Sequence, residues 1–282
     1  MLRGDEAVTG WAGLAWQGAR WFEGTYDGVV ERDVQVVAQR HLLAQPGWRV
    51  SQELLPPWEV EVVDGVPVTT AVRSVVFEMR YAASLGDAVV ALDMACYDDL
   101  VSLEEVRAYV ETLGPVTGVQ RARDALALGD ENSWSPQETR MRGLWTMRAG
   151  LPPPLCNPPV FTLDGRHLGT PDLLAPGIGL LGQYHGGDHL TLTGAAADYR
   201  KEDAYREVGL EPVVMLAADW KQPEAFAARL RAAAARAATR GGPPGWTLET
   251  PAGWTRTDTV ARRRALDPRA RDQLLRYRRT AA

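Results

Sequence analysis

The segment SPQETRMRGLWTMRAG, residues 135–150, followed after a short interval by GTPDLLAPGIGLLGQYHGGDHL, residues 169–190, decides how this chain folds. Ser135 as N-cap, Pro136 at the first helical position and Glu138 at the third make a capping box, so a helix starts here. It runs through Trp145 to about Ala149, and Gly150 with the prolines 152–154 forbids its continuation. Val160 to Leu163 and Arg166 to Leu174 then read as two strands joined by an Asp164-Gly165 turn. After Ala175-Pro176-Gly177 the nearly unbroken apolar run Ile178 to Tyr184 reads as a central strand. Helix Ala196 to Val208, strand Pro212 to Leu216 and helix Pro223 to Ala238 follow. The expected order is helix, three-strand meander, helix, strand, helix.

That order brings Glu138, Asp172, Gln183, His185 and His189 toward one edge. Hydrolysis of a phosphodiester needs a divalent cation on hard oxygen ligands, to stabilise the transition-state charge and to orient a hydroxide. Asp172 and Gln183 are the candidate metal ligands, and Mg²⁺ is the cation they suit. Gln183 offers an amide oxygen without charge, which lowers the expected affinity. His185 and His189, spaced around Gly186-Gly187, suit a general acid or base or a softer metal, and equally suit an exposed turn. Glu138 stands between two roles, an assisting acid of the site and the closing residue of its own capping box.

The first 130 residues read as a small α+β module. Trp11, Leu14, Trp16, Trp21 and Phe22 are spaced as core aromatics and aliphatics. Short strands are expected at Val34 to Val37, Trp48 to Val50 and Val60 to Val63, the last closed by an Asp64-Gly65 turn. Thr69 and Thr70 cap a helix over AVRSVVFEMRYAAS, with further helices at Asp87 to Cys96 and Leu103 to Leu113. This half contains no Gly-rich phosphate loop and no clustered His or Cys. The fold class is therefore α/β, an α+β module at 1–130 followed by a mixed-sheet core at 131–239 and a basic tail at 240–282.

Composition excludes several classes. No apolar run reaches the roughly 18 residues a membrane span needs, and MLRGDEAVTG lacks the form of a signal peptide, so the chain is expected in the cytoplasm. The two cysteines, Cys96 and Cys156, lack metal-ligand spacing and read as packing residues of a reducing compartment. The net charge of −5 hides an asymmetry, because residues 240–282 hold ten arginines against four acids. Arg262, Arg263 and Arg264 in that tail, with Arg200 in the core, are the candidate contacts to nucleic-acid phosphates, against the alternative of a solvated tail.

At SPQETR, GTPDLLAP, GQYHGGDHL, ADYRKEDAYREVGL (197–210) and VVMLAADW (213–220) the chain resembles the very-short-patch-repair (Vsr) type branch of the PD-(D/E)xK nuclease superfamily. It is similar in particular to actinobacterial AbiEi-type antitoxins and a related family of unknown function; GWAGLAWQGARWFEG (10–24) and VDGVPVTTAVRS (63–74) also look like those proteins. The resemblance implies a restriction-endonuclease-like αβββαβ core, a DNA substrate or ligand, and for the antitoxin group a cognate toxin as partner. The antitoxin-like relatives read Glu-Tyr-Asp-Gly where this chain has Gln183-Tyr184-His185-Gly186, which implies a degenerate metal site. In the repair endonucleases that strand carries no acid and ends in His-Gly, with a second histidine soon after, which leaves Asp172 with His185 and His189 as an active alternative. Many antitoxin-type relatives carry an amino-terminal winged helix, and this chain is expected to begin after it. A third alternative keeps the fold for protein–protein contact alone.

Overall fold

The computed structural model describes residues 6–25, 28–42, 45–186, 192–240 and 242–279, with backbone alone at 192–199 and 279. The protein is a mixed α/β chain of two compact units, residues 1–131 with 259–282, and residues 132–258.

The first unit opens with β1 (Glu6–Thr9), α1 (Gly10–Trp16), β2 (Val34–Ala38), β3 (Trp48–Ser51), β4 (Val60–Val63) and β5 (Val66–Thr69). These strands form one sheet in the order β3-β2-β1-β5-β4. The β4–β5 turn holds Asp64 at φ 48° and Gly65 at φ 78°, the two left-handed positions that an Asp-Gly hairpin supplies. Helices α2 (Ala71–Tyr81), α3 (Leu85–Tyr97), α4 (Leu103–Thr112) and α5 (Val119–Leu126) follow. Side chains of Thr70, Ser84 and Ser102 cap the first three of these helices, Ser102 in a full capping box with Glu105. Met79, Leu92, Met94, Val106 and Ala122 are buried between them. The central strand β1 went unread in the sequence because EAVT is four residues long and its pattern is too short to carry a period.

The second unit contains α6 (Pro136–Gly143), β6 (Leu155–Cys156), β7 (Val160–Thr162), β8 (His167–Gly169), β9 (Leu173–Ala175), β10 (Leu180–His185), α7 (Leu192–Glu207), β11 (Glu211–Leu216), α8 (Pro223–Ala238) and β12 (Trp246–Thr247). One sheet runs β11-β10-β9-β6, with β10 parallel to β11 and antiparallel to β9, and β9 antiparallel to β6. The three-strand meander expected at 160–184 is thus corrected. Val160–Thr162 and His167–Gly169 leave the main sheet and pair with each other, and Val160–Thr162 pairs on its other edge with Trp246–Thr247. Pro171, which has no N–H to offer a ladder, divides the expected strand 166–174 in two. The first strand of the main sheet is Leu155–Cys156, two residues flanked by prolines on both sides and therefore without a sequence signal. Met141, Trp145, Leu173, Leu180, Phe226 and Leu230 form the core on one side of this sheet, and Leu174, Leu181, Tyr205 and Leu210 on the other.

Residues 259–282 belong to the first unit rather than to a free tail. Val260 on α9 (Val260–Arg264) joins the helical core, and Asp267 caps α10 (Pro268–Leu274) through the N–H of Ala270. No helix among the described residues is long and apolar enough to cross a membrane.

Candidate functional site

The second unit gathers its polar side chains at the β9–β10 end of the sheet. Register pairs Gly182 with Leu173, and one step further sets Asp172 opposite Gln183. Asp172 Oδ2 accepts a 2.6 Å hydrogen bond from the backbone N–H of Tyr184, which fixes the carboxylate across the two strands. Alternation along β10 puts Gln183 and His185 on the face that Leu181 shares with Tyr205. Gln183 is buried and His185 half-buried. His189 lies outside the described residues.

Glu138 reaches this region from the first turn of α6, where its own N–H donates to Ser135 Oγ at 3.2 Å. The capping arrangement differs from the expected box. The carboxylate arm passes the Ser135 N–H and takes the N–H of Trp134 at 2.8 Å on Oε2. The same oxygen accepts the side-chain amide of Asn157 at 2.7 Å, and Oε1 accepts the Ser135 hydroxyl at 3.0 Å. Asn157 also donates its side-chain amide to the carbonyl of Asn132 at 2.8 Å and its backbone N–H to the carbonyl of Asp172 at 2.9 Å. Both oxygens of Glu138 are therefore engaged, tying residues 134–135 to Asn157 at the end of β6.

Burial dominates the electrostatics. It pushes the Glu138 carboxyl up to about 8, with the nearby Asp172 charge adding to the rise and the Asn157 amide opposing it. Burial raises Asp172 as well, to about 6, against the Tyr184 N–H and the charges of Lys201 and His185, which hold it down. Lys201 comes from α7, one helical turn before Tyr205, so both lie on one face of that helix. A Cβ built on Gly169 would stand 2.4 Å from Tyr205 Oη and 3.0 Å from Lys201 Cε, which shows how closely that face of α7 meets β8. The Tyr205 hydroxyl is buried with no hydrogen-bond partner among the described residues, and burial followed by the Asp172 charge raises its pKa.

The residues nominated from sequence distribute as follows. Glu138, Asp172, Gln183 and His185 share one region of the second unit, and Arg200 is exposed on α7 beside Lys201. Arg263 is completely buried in the first unit, its Nε on Asp99 Oδ1 at 2.6 Å, so it is closed to a phosphate. Arg264 pairs with Glu105 at 2.7 Å, while Arg262 is exposed. Sequence reading missed Lys201, Tyr205 and Asn157. The i, i+4 spacing of the first two was a usable signal; Asn157, standing between Cys156 and two prolines, offered only the turn preference of Asn.

Among the described residues no three or more His, Cys, Asp or Glu are grouped so as to hold a metal ion. Among the described residues the donors facing a cation here are one carboxylate, Asp172, and one amide, Gln183. With both Glu138 oxygens engaged and the Lys201 charge close by, this set does not fit tight Mg²⁺ binding. Comparison of the chain with protein-family models, with curated proteins and with solved structures finds no match.

Proposed function

We propose that residues 132–258 form a restriction-endonuclease-like core, related to the Vsr-like and AbiEi-type proteins that the sequence resembles, which binds DNA without cutting it. The sheet order β11-β10-β9-β6, with its parallel β10–β11 pair bridged by α7, supports a core of that type. The single observation that carries the loss of cutting is the fate of Glu138. Its two oxygens serve Trp134, Ser135 and Asn157, so among the described residues one carboxylate is left where metal-assisted hydrolysis needs a hard, multiply charged set.

Binding has separate support. The acidic surplus of the chain lies in the first unit, whereas residues 132–258 carry 13 basic and 13 acidic side chains. Exposed Arg200 and neighbouring Lys201 supply positive charge on one helix. With so few cations the salt dependence of binding is expected to be shallow, roughly 0.9 decade of affinity per decade of salt for each phosphate contact.

The deciding experiment measures retention of a short duplex with EDTA, Mg²⁺ or Mn²⁺, beside cleavage assays of plasmid and mismatched DNA, for wild type and Asp172→Asn. Retention in EDTA without cleavage in either metal is the expected result. Cleavage that Asp172→Asn abolishes would replace this reading with an active endonuclease using Asp172 and His185. Absence of retention in every condition would leave a protein-binding role, for which a cognate toxin is the partner to seek.

A further inference from the structure

The small sheet of the second unit carries an aromatic plate at the surface. Register pairs Phe161 of β7 with His167 of β8, and their ring centroids lie 5.4 Å apart. Trp254 stands edge-on to Phe161 at 4.8 Å, with 87° between the ring planes, and its centroid is 5.0 Å from that of His167. Phe161 is fully buried and supports the other two rings. His167 is exposed, and Trp254 is 39% exposed, the one exposed Trp, Tyr or Phe of the second unit among the described residues. Leu168 turns inward onto the Leu174 and Tyr205 core, which sends its neighbour His167 to the outer side of the hairpin. The Trp254 N–H donates to the carbonyl of Pro251 at 3.1 Å, a turn that sets the indole in place.

Positive charge adjoins the plate. Burial first, and the Lys201 charge with it, push the His167 pKa down against a hydrogen bond to the Gly169 backbone, so the imidazole is neutral at pH 7 and stacks as an uncharged ring. The same ammonium acts on Asp172, which makes the plate a neighbour of the β9–β10 region. Arg166, one residue before His167, is exposed. Asp258, an acid close in sequence to Trp254, is paired with Arg256 at 2.5 Å. Exposed rings beside cations fit a nucleobase and its phosphate, since every base has a π-face and every nucleotide a negative charge next to it. Inside a duplex those faces are covered by the neighbouring pairs, so only an unpaired base can use the plate.

We propose that the second unit takes an unpaired base of single-stranded DNA on the Trp254–His167 surface, with the adjoining phosphate on Lys201 and Arg166. This rests on the DNA-binding reading above and specifies its ligand, a DNA with a single-stranded stretch in preference to a blunt duplex.

The test compares, by fluorescence anisotropy with the full chain at one salt concentration, a blunt duplex and the same duplex extended by a short oligothymidine strand. A second sample of the extended DNA carries 2-aminopurine in the extension as a stacking reporter. Wild type should bind the extended DNA about tenfold more tightly than the blunt one and should quench the 2-aminopurine beyond its level in free DNA. Trp254→Leu, which keeps an apolar side chain against Phe161 and removes the ring face, should bring the extended DNA down to the blunt-duplex affinity and abolish the added quenching. His167→Leu, a smaller change on the exposed side of the plate, should remove part of the preference and carries the test if Trp254→Leu fails to fold. Equal wild-type affinity for the two DNAs would overturn this proposal and leave the DNA-binding reading standing, and so would a preference that both variants retain. Wild type that binds neither DNA would overturn both.

Discussion

Asn157 donates its side-chain amide to Glu138 at 2.7 Å from a backbone held in the left-handed region, at φ 45°. A residue that offers nothing in composition or period thereby decides what the best-marked acid of the sequence can do. Bound to Asn157, Trp134 and Ser135, Glu138 is a clamp of the loop it stands on.

Replacing that partner should cost stability. Asn157→Ala removes two side-chain hydrogen bonds and places a Cβ residue without a local bond in the left-handed region. Loss of one of the three donors on the Glu138 carboxyl, together with the bond to the Asn132 carbonyl, costs about 1–3 kcal/mol and the left-handed backbone about 1–2 kcal/mol. Denaturant unfolding that leaves the midpoint unchanged would show that Glu138 finds another donor.

The pH dependence has a definite sign. Glu138 holds its proton more tightly when folded, about 8 against the ordinary 4.5 of a glutamate in water. Its contribution is fully present below about 4.5 and is lost as pH rises through about 8. The metal-free protein should therefore melt at a lower temperature at pH 8.5 than at pH 6, and Glu138→Gln should flatten that slope. An unaltered slope in the variant would assign the dependence to another group.

Lys201 holds Asp172 below the value that burial would otherwise impose. Lys201→Met should raise the Asp172 carboxyl further, read by carboxyl NMR, and should weaken duplex binding by removing one phosphate-facing charge. An unmoved Asp172 titration would show that the ammonium stands too far off to matter.

Gly169 allows α7 to lie against β8. In Gly169→Ala the new methyl would meet Tyr205 Oη at 2.4 Å and Lys201 Cε at 3.0 Å. Overpacking of this kind costs about 1–3 kcal/mol. Thermal unfolding should register it, and Gly169→Ala combined with Tyr205→Phe should restore part of the loss, because the tightest contact is with the hydroxyl oxygen that Phe lacks.

Asp99 is the anchor of the carboxy-terminal segment. It binds Arg263 and Arg278, both buried, and half-exposed Arg271. Asp99→Ala leaves those charges without their carboxylate, a change of about 3–5 kcal/mol for a broken buried pair. Limited trypsin digestion should then release residues beyond about 259 faster than in wild type. Equal digestion rates would mean that Val260 and Arg264 hold the segment unaided.

Local chemistry made several parts legible in the sequence. Ser135-Pro136 starts α6 because a side-chain acceptor and a residue without N–H satisfy the same helix end. The apolar run ending at Gln183-Tyr184-His185 becomes β10 because a strand covered on both faces must be apolar on both. Asp172 and Gln183 were nominated for the same reason, as polar residues at the ends of apolar strands.

Only the tertiary structure could decide the partners. Pairing by two residues at Leu155–Cys156 leaves no period to read, and the desertion of Val160–Thr162 to Trp246 depends on a strand 80-odd residues away. A carboxylate in the sequence carries a nominal charge and two open oxygens; in space three donors occupy those oxygens and burial, outweighing the pull of the same donors toward the charged form, makes Glu138 hold its proton. The same holds for the Arg-rich end, whose composition suggests a phosphate track. Folded, Arg263, Arg271 and Arg278 converge on Asp99 instead, because burying a guanidinium is affordable only beside a carboxylate, and which carboxylate that is depends on the fold.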